Sequence, residues 1–222
     1  MNLFPLWNSL RIALIATVII FFLGIFLAYL VKRCPKVAKG IIDVILTLPL
    51  VLPPTVCGYL LILVFGPRHP IGAFLQTMGI QFFMDWKGGI LASVMVAFPL
   101  MYRTSRGAFE SFDENLANAG KTLGLSNTYI FWRIRLPACK NGIIAGLVLA
   151  FARALGEYGA TSMLIGYNQY RTATISTTVA YAWNNNDTAT ALIWVLINLV
   201  ISAVVLVLIN IFENNNKKGA KL

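Results

Sequence analysis

Arg153 and Glu157 are the two charged residues of an otherwise apolar stretch that begins near Asn141 and runs toward Tyr170. Their i, i+4 spacing predicts one shared helix face. In lipid each would cost about 2.5–3.5 kcal/mol at a helix centre, against a gain of about 0.3–0.6 kcal/mol per apolar neighbour. The pair must therefore bond to itself, face other helices or meet water. A charge inside a membrane is a functional candidate by default. An internal ion pair and a direct role toward a charged substrate both remain open. Pro49, Pro53 and Pro54 lie in a second apolar stretch. Each removes a backbone donor, which lipid tolerates only where neighbours or a cavity satisfy the freed carbonyls. A packing kink and a broken helix beside a path are the two readings.

Other chemistry is missing from the sequence. There is no G-x-x-x-x-G-K-[ST] phosphate loop. His69 stands alone, so no Ser/His/Asp or Cys/His set can be built, and it reads as solvated. Cys34, Cys57 and Cys139 have neither metal-ligand nor disulfide spacing and read as small apolar packing groups. No catalytic residue, metal ligand or bound cofactor is expected on this chain.

The elements that must position these residues follow from composition. Of 222 residues, 58% are hydrophobic and 12% charged, where soluble domains carry about 25% charge. Mean hydropathy is +0.75. Twenty-six charged side chains are too few to clothe a soluble fold of this size, so a cytosolic enzyme, a disordered chain and a coiled coil are excluded. An all-α integral membrane protein remains. Met1–Leu10 lacks a basic segment, and the uncharged run Ile12–Val31 exceeds the apolar core of about 7–15 residues in a secretory signal. It reads as a retained span. Five spans are expected, over about 10–31, 44–66, 88–108, 141–168 and 189–212, in one membrane domain covering 1–222.

With five spans, thirteen of the eighteen basic residues fall on one side: Lys32 to Lys39, Arg103 to Lys140, and the C-terminal lysines. Arg11, Arg68, Lys87 and Arg171 fall on the other. Cytoplasmic loops are rich in Lys and Arg, so the N-terminus is expected outside and the C-terminus in the cytoplasm. The net charge of +10 thus points to a membrane setting rather than to nucleic acid. Trp7, Trp86 and Trp183 fit interfacial anchoring. Gly142 and Gly146, four apart, allow close helix approach.

The cytoplasmic stretch 111–137 is too polar to span. Ser111 and Glu114 are spaced as a capping box. Leu116, Ala119, Gly120 and Leu123 share a helix face. Gly124 is a stop, Ser126 caps a second helix over 127–135, and Pro137 ends it. Ala119, Gly120 and Gly124 give the hairpin small residues that another protein could approach closely.

Asn118-Ala119-Gly120, then Gly124, then Ile134-Arg135-Leu136-Pro137 resembles the EAA loop of ABC importer permeases in all its spacings. Asn118 replaces the family's Glu and Gly120 its second Ala. Leu48–Leu61 (LPLVLPPTVCGYLL) and Phe151–Ala160 (FARALGEYGA) resemble the oxyanion permeases, most of all those for molybdate. Sulfate and tungstate permeases are the nearer alternatives, and a non-transporting membrane scaffold the more distant one. The resemblance covers nearly the whole chain. It implies a homodimer in a prokaryotic plasma membrane, two ATP-binding cassette subunits that hold ATP and magnesium, and an extracytoplasmic oxyanion-binding protein. It also implies that 118–120, Gly124, Ile134, Leu136 and Pro137 couple to the ATPase. Pro49, Pro53, Pro54, Thr55, Arg153, Glu157 and Tyr158 would then line or gate the path. An unpaired Arg153 would hold a dianion and slow its release; a neutralised pair suits conduction.

Overall fold

A computed structural model describes residues 2–219, and every regular element in them is a helix. The first helix, α1 (Phe4–Lys32), starts well before residue 10. Pro5 lies in its first turn, where a missing N–H costs nothing. After it come α2 (Lys36–Val51), α3 (Pro54–Phe65), α4 (Pro70–Thr77) and α5 (Trp86–Glu110).

Helices α1 and α5 pack side by side and run in the same direction. At one end the Arg11 guanidinium lies 3.8 Å from the centroid of the Trp86 ring. At the other, Lys32 Nζ donates to the Phe109 carbonyl at 2.6 Å. Small residues make the contact close: an ideal Cβ on Gly24 would lie 2.6 Å from Met101 Cγ. Ala13, Ala16, Ala28 and Ala97 are fully buried in the same core. Without a hydrophobic drive between helices in lipid, such backbone-close packing supplies the attraction.

Beyond α5, the chain forms α6 (Glu114–Thr122) and α7 (Asn127–Ile130), a π-helical turn (Phe131–Arg135) and α8 (Leu136–Ala138). Then α9 (Lys140–Leu155) and α10 (Gly159–Ile165) return along α5 in the opposite direction. Gly142 meets Ala108, Gly146 meets Met101 and Thr104, and Ile165 reaches Gly88 and Gly89 at the start of α5. The Gly142–Gly146 pair is thus a helix-packing device. Finally α11 (Ile175–Asn184) leads to α12 (Thr188–Gly219).

Neither proline- nor glycine-bearing stretch is one straight span. The 44–66 segment belongs to α2 and α3, bent by 114° about Leu52 and Pro53. Leu52 is extended (φ −71°, ψ 142°), as a residue before proline prefers. The 141–168 segment breaks after Leu155 and resumes at Gly159. Pro137 does not end its helix; the chain stays helical to Ala138, and the 70° bend into α9 follows. Among the described residues, two helices, α1 and the Thr188–Val207 part of α12, are long and apolar enough to cross a membrane, or up to four if each bent pair is one span.

Helices α4 and α11 are not expected from hydropathy. The second is set by a reciprocal Thr174–Thr177 cap and tied to α1. Asn8 Nδ2 donates to the carbonyls of Thr172 and Ala173 at 3.2 and 2.9 Å, and Ser9 Oγ accepts from Ile175 N–H at 2.8 Å.

A Cβ on Gly142 would lie 2.6 Å from Ala108 Cβ, and neither atom can rotate away. Gly142→Val is expected to force α9 off α5 at a cost of about 1–3 kcal/mol, read as a lowered melting temperature in detergent. Gly40→Val, at a glycine with open space around it, is the control and should shift it far less.

Candidate functional site

The two helix breaks meet each other. A Cβ on Gly159 would come within 2.8 Å of Pro54 Cβ and 3.2 Å of Thr55 N, and one on Gly58 within 2.8 Å of the Ala160 backbone. The segments 48–61 and 151–160 are thereby locked backbone to backbone. Pro53 has no N–H to offer the Pro49 carbonyl; the buried Cys57 thiol points to that oxygen instead, 3.9 Å away. Thr55 and Tyr158 remain exposed beside the junction, with Tyr158 preceding the first turn of α10.

Arg153 and Glu157 do pair, Nη1 to Oε2 at 2.5 Å. They do not share one helix, however. Arg153 lies in the last turn of α9, while Glu157 lies beyond its end at Gly156. The second oxygen of Glu157 accepts from Ala160 N–H at 2.8 Å, which caps α10. The carboxylate is almost wholly buried, at 1% exposure, and the Arg153 side chain is 31% exposed. One acid thus offsets a charge and satisfies a backbone donor freed by the break. Gly156 and Gly159 lie on either side of Glu157 at this break.

The 111–137 stretch is a helical hairpin, with details that differ from expectation. Ser111 ends α5, its hydroxyl donating to the Gly107 carbonyl at 2.9 Å. Asp113 caps α6 instead, accepting from Asn115 N–H at 2.9 Å. Glu114 does not reach back to the cap, because two cations hold it. Arg135 donates to both its oxygens at 2.8 Å, and Lys32 to one at 2.5 Å. Arg135 first, and Lys32 second, hold its pKa down at about 2. Gly124 has φ +76°, the left-handed conformation a turn needs here, and Ser126 caps α7 through Tyr129 N–H. Gly120 faces inward: a Cβ there would lie 3.2 Å from Ile130 and 3.3 Å from Ile134. The outward face is Leu116, Ala119 and Leu123, all exposed, with Asn118 exposed beside them. Ile134 and Leu136 are half-buried, and Pro137 is exposed.

The same end gathers two more of the cations expected on the cytoplasmic side. Arg106 pairs with Asp43 and, at 3.0 Å, with Glu110; Lys39 pairs with Glu110; Tyr102 donates to Asp43 at 3.0 Å. At the opposite end Arg171 meets Asp85 at 3.4 Å. Apart from the i, i+4 pair Arg106–Glu110, the partners in this network lie 59 or more residues apart and leave no local pattern in the sequence.

The family model for "Binding-protein-dependent transport system inner membrane component" matches residues 20–218. The chain is 43% identical over 176 residues to the Molybdenum transport system permease protein ModB of Escherichia coli (strain K12), covering 77% of each. It is 45% identical over 154 residues to the protein of that name from Haemophilus influenzae, covering 69% of this chain and 67% of that one. Its fold is similar to that in a crystal structure of a bacterial ABC transporter involved in alginate import, with a TM-score of 0.77, 17% identity, and coverage of 95% and 78%.

Glu157→Ala leaves both Ala160 N–H and Arg153 without their acceptor. It should cost about 3 kcal/mol, the low end for breaking a buried pair, since Arg153 keeps some solvent. Glu157→Gln retains an acceptor for Ala160 and should cost less. Melting curves in detergent compare the two; equal losses would show that the cap contributes little.

Proposed function

We infer the function of this chain from the family to which it belongs, the inner membrane components of binding-protein-dependent transport systems: it is the permease subunit of an ABC importer for molybdate. Its similarity to two permeases named for molybdenum, at 43% and 45% identity over most of the chain, carries this reading. Both names favour molybdate over sulfate and tungstate.

In the finer reading, five segments cross the plasma membrane of a prokaryote: α1, α2–α3, α5, α9–α10 and α12. The N-terminus lies outside and the C-terminus inside, because the crowded basic end belongs in the cytoplasm. Two copies form the path, and two ATPase subunits supply energy from ATP and magnesium. An extracytoplasmic binding protein delivers the oxyanion and carries most of the selectivity. The outward Leu116, Ala119 and Leu123 face, flanked by Asn118 and turned at Gly124, docks on the ATPase. Motion there reaches α1 through the Lys32–Glu114–Arg135 contacts and reaches α9 through α8. The bundle then tilts between outward-open and inward-open states.

The junction of the two breaks lines the path, with Pro49, Pro53 and Pro54 framing it and Thr55 and Tyr158 offering hydroxyls. Arg153 attracts the dianion, and Glu157 offsets enough of that charge for release. No nucleic acid takes part, and the surrounding solvent is lipid. A scaffold would need neither the docking face nor the charge-offset break.

Proteoliposomes holding the chain, its ATPase and its binding protein test this. Labelled molybdate should enter only with ATP and should resist excess sulfate. Uptake that persists without the chain, or that sulfate abolishes, overturns the assignment. Leu123 is 78% exposed, so Leu123→Asp should change the chain's own stability by less than about 0.5 kcal/mol. It should nonetheless lower ATPase co-purification and uptake at least tenfold; unaltered docking removes the coupling face.

A further inference from the structure

Beside the hairpin lies a cleft of about 430 Å³. It is lined by Tyr29, Lys32 and Arg33 from the end of α1 and by Glu114, Lys121 and Arg135 from the hairpin. Four of these are cations and one is an acid. The acid is already taken by Arg135 and Lys32. Arg33 and Lys121 have no carboxylate partner among the described residues. The Arg33 guanidinium lies over the Tyr29 ring instead, 4.2 Å from its centroid. Two cations therefore face a cleft without a counter-ion.

An apolar stripe leads into this cleft. Leu14, Val18, Phe22, Phe26 and Leu30 repeat every four residues along α1, and all are exposed. The other face of α1 is spent on α5 and α9. One helical step past Leu30, the stripe reaches Arg33. A dry stripe ending in unpaired cations at the edge of a membrane span has the shape and charge of a lipid site, with tails along the stripe and a phosphate at its end. Basic pockets on the cytoplasmic side of membrane proteins bind anionic headgroups in this way. A second copy of the chain fits less well, since it would bring the same basic end against this one.

We propose that an anionic phospholipid binds here, its phosphate between Arg33 and Lys121 and its acyl chains along Leu14 to Leu30. It bridges α1 to α6, beside the Glu114 contacts, and so ties the hairpin to the bilayer as well as to the helix bundle.

The assembled transporter in phosphatidylcholine nanodiscs tests this, with spin-labelled phosphatidylglycerol or spin-labelled phosphatidylcholine as the probe. The motionally restricted fraction reads binding and does not depend on which substrate is carried. The wild type should retain phosphatidylglycerol over phosphatidylcholine several-fold. Arg33→Gln and Lys121→Gln should each lower that preference about fivefold, or to parity if that comes first, with circular dichroism confirming an intact helical fold. Inorganic phosphate at millimolar concentration should not release the lipid. Equal retention of the two lipids by the wild type, or a preference that survives both substitutions, overturns the proposal. Displacement by inorganic phosphate also overturns it and assigns the cations to a soluble anion.

Discussion

In hydrocarbon, every backbone donor, backbone acceptor and charge must find its partner within the protein. This chain interrupts two of its helices where it would be expected to keep them whole, and the rest of the architecture answers that cost. Pro53 orphans the carbonyl of Pro49, and Cys57 turns its thiol toward it. The break after Leu155 leaves α10 with unpaired donors, and Glu157 accepts one of them. Neither repair works alone. They hold because Gly58 and Gly159 let the two broken segments interlock at backbone distance.

The arrangement explains how two charges persist among apolar helices. Glu157 is buried, with one oxygen accepting from Ala160 N–H and the other beside the Arg153 guanidinium, while Arg153 keeps part of its side chain accessible. The acid acts as the fixed partner and the base as the exposed one. In the proposed path, this division leaves the attraction for a dianion present but partly cancelled. The close contact of α1, α5 and α9, packed through Gly24, Gly142 and Gly146, frames the broken segments.

At the basic end, Glu114 links three pieces of chain that are distant in sequence. Arg135 belongs to the second half of the hairpin, Lys32 ends α1, and Glu114 starts α6. Lys32 also caps α5 through the Phe109 carbonyl. The hairpin is therefore anchored at one edge, and its Leu116, Ala119 and Leu123 face is left open. Anchoring one edge while exposing the other suits the proposed docking role.

Much of this could be read from residue types alone, wherever the cause is local. Apolar runs without charge dictate membrane helices, because lipid offers no other partner for the backbone. Gly124 and Ser126 dictate the hairpin turn, because a left-handed residue and a hydroxyl cap act within a few positions. Pro53, Pro54, Arg153 and Glu157 stood out because each is costly in lipid. The tertiary structure decided what depends on partners far away in the chain. Glu114 forgoes the local cap because Lys32 lies beside it, although 82 residues away. Gly120 turns inward because Ile130 and Ile134 fold over it. The two breaks form one site only because α3 packs on α10, and Arg153 and Glu157 pair across a helix end that their i, i+4 spacing had placed within one helix. Periodicity reports which face is apolar; it does not report which neighbour arrives to cover it.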